Sequence, residues 1–251
     1  MIYHVGSFYY IDCAQGLYSL KGTMDTKRFT NSQSWDQENV VSFFDNERNK
    51  SEDVYPSEWF FIKEILHNGM SILDIGCAQG GFANVFQHYL VDFNYTGVDI
   101  SPKMVERAKI RYPEHTFYHV GEEDYSILAN RSYDLVLTLG ILHLHESWRD
   151  TIKVAWKHCK KRLILDFRET ELPTLEDKKR SYFTMEVHNG EDDENLRLPY
   201  IILNTSDALK SIKELCPGFK KIARYGYTHP VSEYAVTSIK EVMATVYAIS
   251  R

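Results

Sequence analysis

Apolar residues in this chain follow two periods, and the periods alternate. Ile72, Leu73 and Ile75 form a short apolar run suited to a buried parallel strand, and Phe82, Val85, Phe86 and Tyr89 then recur at helical spacing. Between them Gly76, Ala78, Gly80 and Gly81 are small enough for the backbone to turn sharply and lie close to a ligand. Further strand-like runs begin at or include Tyr95, Thr116, Leu135 and Leu163, with helical patterns between them. This alternation predicts a mostly parallel α/β sheet with helices on both faces. Upstream, Tyr55-Pro-Ser-Glu58 opens a helix with Ser57 as the expected cap. Its expected buried face is Trp59, Phe60, Ile62, Ile65 and Leu66, and Gly69 stops it. Ser101-Pro102 starts another helix, with serine as N-cap, proline at the first helical position, and Met104, Val105 and Ala108 facing inward.

The two ends of the chain are less regular. Ser7 to Asp12 and Leu17 to Lys21, around Gln15-Gly16, predict a small hairpin. From Asn31 to Tyr55 the chain is polar, with an amphipathic stretch at Val40, Val41, Phe43 and Phe44. After Thr170, Tyr182 to His188 and Leu198 to Leu203 read as strands of an insert, separated by an acidic loop. Thr205 or Ser206 caps a helix through Leu215, and Lys220 to Tyr227 and Glu241 to Ser250 predict a closing antiparallel pair. The expected division is a hairpin and lid segment over 1–56 and a main domain over 57–251.

Composition narrows the class of protein. The 251 residues carry a formal charge of −6, and the only basic clusters are Lys160-Lys161-Arg162 and Lys178-Lys179-Arg180, which argues against an extended nucleic-acid surface. No apolar stretch approaches the ~18 residues that would span a bilayer, and the first residues lack the pattern of a signal peptide. Cys13, Cys77, Cys159 and Cys216 form no Cys-x-x-Cys pair, so neither zinc nor a disulfide framework is expected. The expectation is a soluble, cytoplasmic protein without a metal. Its oligomeric state is left open.

The chemistry lies in two acids. Asp74 stands two places before the first glycine of the turn, where a dinucleotide's pyrophosphate would meet like charge and a cationic ligand would be welcome. Asp99 ends the next strand about 20 residues past the turn, the distance of an acid that holds a ribose diol. At these residues the chain resembles the class I S-adenosylmethionine (SAM)-dependent methyltransferases, whose first motif runs acid-x-Gly-x-Gly-x-Gly. Ala78 stands in place of the middle glycine. The resemblance covers about Ser57 to Ile249; it is specific from Ile72 to Ser101 and topological after Thr170.

The resemblance implies a Rossmann-like sheet with an antiparallel last strand, SAM as cofactor and S-adenosylhomocysteine (SAH) as product. It implies a cofactor site at Asp74, Gly76, Cys77, Ala78, Gly80 and Phe82, then Asp99 on the ribose, with Ile100 and Met104 beside the adenine. Glu122 or Glu123 would accept the adenine amine, and Leu139 and Tyr55 would complete the enclosure. Cys77 reads as small filler in the turn. His143, leaving the fourth strand at the methyl end, is the first choice for a proton acceptor, with His145 and His188 behind it. Arg168 is the expected anchor of an anionic acceptor, and a salt bridge to Asp166 or Glu169 is its structural alternative.

The overall layout is similar to small-molecule methyltransferases acting on sugars and bacterial surface-polysaccharide building blocks, and an Asn/Asp-Pro-Pro-Tyr signature of nucleic-acid methylation is absent. O-methylation of a small, anionic or sugar-like acceptor is therefore the favoured reading. N-methylation, a SAM-binding protein that does not methylate, and a dinucleotide oxidoreductase are the alternatives.

Overall fold

Seven strands carry the centre of the molecule in the computed structural model, which describes residues 4–5, 8–9, 31–46, 48, 50–121, 124–186, 190 and 192–251. They are β1 (Met70–Ile75), β2 (Phe93–Asp99), β3 (Thr116–His119), β4 (Tyr133–Thr138), β5 (Cys159–Thr170), β6 (Lys221–Pro230) and β7 (Glu241–Ser250). Their order across the sheet is β6-β7-β5-β4-β1-β2-β3. β1 to β5 pair in parallel, whereas β7 runs antiparallel to both β5 and β6. The order reverses direction between β1 and β4, so the carboxyl ends of those two strands open a crevice, the usual ligand position in such sheets. Leu203–Asn204 extends the sheet as a short parallel neighbour of the end of β5.

Strand alternation sends side chains into two cores. Leu73 and Ile75 point to one face, where Trp148, Ile152, Phe167, Ile212 and Tyr247 pack. Ile72 points to the other, with Ile62, Phe82, Phe86, Tyr95, Leu137 and Val246. Each such side chain, fully buried, contributes about 1.5–3 kcal/mol. The helices that cover these faces include α3 (Pro56–Ile62), α4 (Gly81–Gln87), α5 (Pro102–Arg111), α6 (Trp148–His158) and α7 (Thr205–Leu215). Ser101 caps α5 as expected, its hydroxyl accepting from Met104 N at 3.2 Å.

Two helix starts differ from expectation. Tyr55, not Ser57, is the cap position of α3, because Pro56 takes the first helical place. The helix phase shifts with it: Ser57, Glu58, Phe61 and Ile62 are buried, whereas Phe60 is 42% exposed. The helix ends at Ile62, and Gly69 (φ +78°) belongs to the turn into β1. Asn204 rather than Thr205 or Ser206 caps α7, its side chain accepting from Ser206 N at 2.9 Å.

The N-terminal segment and the insert form a third layer. Helices α1 (Asn31–Trp35) and α2 (Glu38–Phe43) lie against α5. Asp36 accepts from Ser101 Oγ at 2.7 Å and Lys103 N at 3.1 Å, and Arg107 pairs with Glu38 and Asp45, each at 2.6 Å. Val40 and Val41 share a cluster with Met104, Leu144, Met185, Tyr200 and Ile202, so segment and insert meet over the crevice. The insert strands are shorter than expected: Tyr182–Phe183 is central in a three-stranded antiparallel sheet with Leu198–Pro199 and Ala235–Val236. Near the start, Phe8–Tyr9 pairs with His4–Val5, while the expected Gln15-Gly16 turn and the Leu17 to Lys21 strand lie outside the described residues. No helix among the described residues is long and apolar enough to cross a membrane.

Candidate functional site

The turn after β1 presents its backbone and the small side chain of Ala78 to the crevice. Gly76 takes φ +80°, and a Cβ there would stand 2.6 Å from the Ile141 side chain, so no other residue fits without displacing it. Ala78 adopts φ +45° despite its methyl group, and its N–H donates to Asp99 Oδ2 at 2.9 Å. Asp99 Oδ1 accepts from Ser101 N at 2.9 Å. The second acid thereby locks the turn to the cap of α5. Burial pushes the Asp99 carboxyl up from its ordinary value, and these backbone donors pull it back.

A cavity of about 640 Å³ opens above the turn. Gly76, Ala78, Asp99, Ile100, Met104 and Leu139 of the expected cofactor residues line it. Val98, Val120, Tyr125, Gly140 and Ile141 complete the sheet-side wall. Asn31, Ser34, Trp35, Phe44 and Arg48 from the N-terminal segment cover one side, and Lys178, Glu194, Asn195, Arg197 and Leu198 from the insert form the rim. His145, Glu146 and Ser147 lie between floor and rim.

The other expected residues are placed differently. Asp74 is buried beneath the turn, on the α3/α4 side of the sheet that strand alternation assigns to it, and Tyr95 Oη donates to its Oδ2 at 2.5 Å. Burial pushes its carboxyl up to about 6, opposed by the Tyr95 hydrogen bond and the Arg48 charge. It acts behind the wall rather than on it. Cys77 is also beneath the turn, packed against Gly97, and burial holds its thiol well above the ordinary range, which suits filler and not a nucleophile. Gly80 is the left-handed cap of α4, and Phe82 is core. Tyr55 is 55% exposed and is not part of the wall. Glu122, Glu123 and His188 lie outside the described residues.

His143 is not on the cavity wall. It is buried with its ring edge-on to Tyr200 (centroids 5.6 Å, interplanar 88°), and its carbonyl accepts from Ile201 N at 2.8 Å. Burial first, then the Arg168 charge, holds the ring neutral by pushing its pKa well below the usual value. The physical reason is the short 3-10 turn at Leu142–Leu144, which turns residue 143 under the insert and brings His145 to the wall instead. Burial lowers the His145 pKa to about 4. Arg168 adopts the salt-bridge alternative: it pairs with Asp166 at 2.6 Å, and the other Asp166 oxygen accepts from Gly140 N at 2.6 Å. Its effect on the cavity passes through the Gly140 backbone, which is at φ +77°.

Phe44 on the wall belongs to the amphipathic stretch read from the sequence, whereas Trp35 and Arg48 were not singled out, because isolated residues in a polar stretch carry no periodic signal. Glu58 was also missed. It is a buried carboxyl on the inward face of α3 whose Oε2 has no hydrogen-bond partner among the described residues.

Residues 73–163 match a family described as a methyltransferase domain. Among solved structures, the N-terminal domain of EvdMO1 with SAH bound is similar at TM-score 0.51 and 13% identity, over 72% of this chain and 75% of that one. The magnesium protoporphyrin IX methyltransferase from Synechocystis with bound SAM gives 0.48 and 20%, over 77% and 75%. A SAM-dependent methyltransferase from Clostridium acetobutylicum gives 0.48 and 16%, over 76% and 89%. No curated protein matches the sequence. The likeness to the EvdMO1 domain is one of fold, and the sheet is the Rossmann-like class I arrangement with its antiparallel closing strand.

Proposed function

We propose that the chain is a SAM-dependent methyltransferase, a reading supported by the match of residues 73–163 to a methyltransferase domain, and that it transfers a methyl group to an oxygen of a small, sugar-like or anionic acceptor. The observation that carries this reading is a single cavity with two unlike ends. The inner end is backbone, Asp99 and apolar surface, and a nucleoside fits it. A carboxylate has about four lone-pair sites, and Asp99 uses two on backbone donors, which leaves two for a ribose diol. Ile100, Met104 and Val120 give the adenine an apolar slot. Asp74, behind the wall, keeps negative charge under the end where a cationic ligand group belongs.

The outer end is the rim. Lys178, Asn195 and Glu146 offer donors and acceptors beside Arg197, which is held by Asp192 and Glu194, a mixture that suits a polyhydroxyl or singly anionic molecule such as a building block of surface polysaccharide. SAM, when bound, supplies an electrophilic methyl on sulfur. The protein's own task is to align acceptor and methyl in line, an effect worth up to about 7–11 kcal/mol in favourable cases. Removal of the hydroxyl proton is assigned to His145 for its place on the wall; burial keeps the ring neutral near pH 7 and also makes it a weak base, so alignment carries most of the work. Arg168 is a positioning residue that sets Gly140 through Asp166. In this reading residues 1–56 are a lid segment over 57–251, and Asn31, Trp35, Phe44 and Arg48 are described residues of it that line the cavity.

The test is SAH release with a panel of small hydroxyl, carboxyl and amine acceptors. Turnover with sugar-like hydroxyl compounds, lowered in His145→Gln, is expected; turnover confined to amines would overturn the oxygen acceptor.

A further inference from the structure

Arg48 brings the N-terminal segment to the inner end of the cavity. Its guanidinium carbon lies 4.4 Å from the centroid of the Phe82 ring. Its Nη2 lies 3.8 Å from where a side chain at Gly140 would begin. It reaches that place on a backbone of φ +55°, in the left-handed region that side chains other than glycine disfavour. Among the described residues no carboxylate is within ion-pair distance of it. The Arg48 charge acts on the carboxyls of Asp74 and Glu58, but both are buried, neither pairs with it, and Tyr95 already occupies one Asp74 oxygen. A cation at a cavity wall, laid over an aromatic face and held by a strained backbone, is placed for an anion that the protein does not itself supply.

The position of Arg48 along the cavity says which anion. Asp99, at the carboxyl end of β2, marks the ribose end, and Gly76 and Gly140 lie past it, at the ends of β1 and β4. A ligand anchored at Asp99 and extended across the sheet terminates beside Gly140, under Arg48. On the cofactor reading proposed above, that terminus is the amino-acid part of SAM. The geometry points to Arg48 as the residue that binds the methionine carboxylate of SAM. The flat guanidinium fork matches a carboxylate in a way that a point charge does not. Because Arg48 belongs to the covering segment, the same contact fastens that segment over the bound cofactor.

Calorimetric titration of the full chain with SAM and with decarboxylated SAM tests this, using wild type, Arg48→Ala and Arg48→Lys. Arg48→Ala should weaken SAM binding by about 10- to 100-fold, the scale of a charged hydrogen bond, and change decarboxylated SAM by less than about twofold. Arg48→Lys should retain part of the SAM affinity. Equal weakening of both ligands would make Arg48 a structural residue and overturn the assignment, as would unchanged SAM affinity. Wild type that binds both ligands equally would reject Arg48 alone, whereas wild type that binds neither would reject the cofactor reading together with it.

Discussion

Asp99 has two duties that can be separated by substitution. Its carboxylate ties Ala78 N and Ser101 N together, and on the proposed reading its remaining lone pairs face the ribose. Asp99→Ala removes both sets of contacts. SAM affinity measured by calorimetry should fall by roughly 1.5–3 kcal/mol, the scale of hydrogen bonds to a charged group. Asp99→Asn keeps the acceptor oxygen and should lose less. Affinity that is unchanged in both variants would remove Asp99 from the cofactor site. The residue scale is also where sequence reading was strongest and weakest. Asp99 and Gly76 were legible because a motif fixes their spacing. The roles of His143 and Arg168 were not, because whether a side chain leaving a strand end faces the ligand or the core depends on one 3-10 turn and one ion pair.

At the scale of elements, each core strand was readable from its apolar run, and so was the antiparallel pair that closes the sheet. Helix phase was harder. An acid at position 58 and a phenylalanine at position 60 suggest the opposite of what α3 does, since its proline start sets which face meets β5 and β7. The insert was harder still, because two-residue strands give no period. The N-terminal segment offers the clearest prediction here. It is fastened to α5 and the turn by Asp36, by Arg107 ion pairs, and by Gln79 Nε2 donating to Val41 O at 2.6 Å. Partly exposed ion pairs of this kind each contribute little, about 0–1 kcal/mol, so the buried Val40 and Val41 are the main hold on the segment and the proposed lid motion has to release them. Hydrogen exchange with and without SAH should show added protection between Val40 and Trp59. No added protection there would reject the lid.

For the whole molecule, the buried Glu58 makes stability depend on pH. Burial lifts its carboxyl from an ordinary 4.5 to about 7, against the opposing charges of Arg48 and Arg168, while Asp166 adds to the rise and Tyr227 faces it from β6. The folded state therefore holds this proton more tightly than the unfolded chain does. Stability is highest below pH 4.5 as far as this group is concerned, falls as pH rises from there to 7, and stays lower above. The scale is up to about 3 kcal/mol. Glu58→Gln should raise the melting temperature relative to wild type at pH 8 and leave it near wild type at pH 5; the same difference at both values would exclude Glu58 as the titrating group. The shape of the cavity has its own consequence for the molecule as a machine. On the proposed reading the nucleoside lies against Gly76, Ala78 and Asp99, and the charged insert residues Lys178 and Glu194 line the same cavity. An acceptor held by Lys178, Asn195 and Glu146 then sits over a cofactor already seated at Asp99. That seating predicts an order in time, the cofactor arriving first and departing last, and product-inhibition kinetics in which SAH competes with SAM but not with the acceptor would check it.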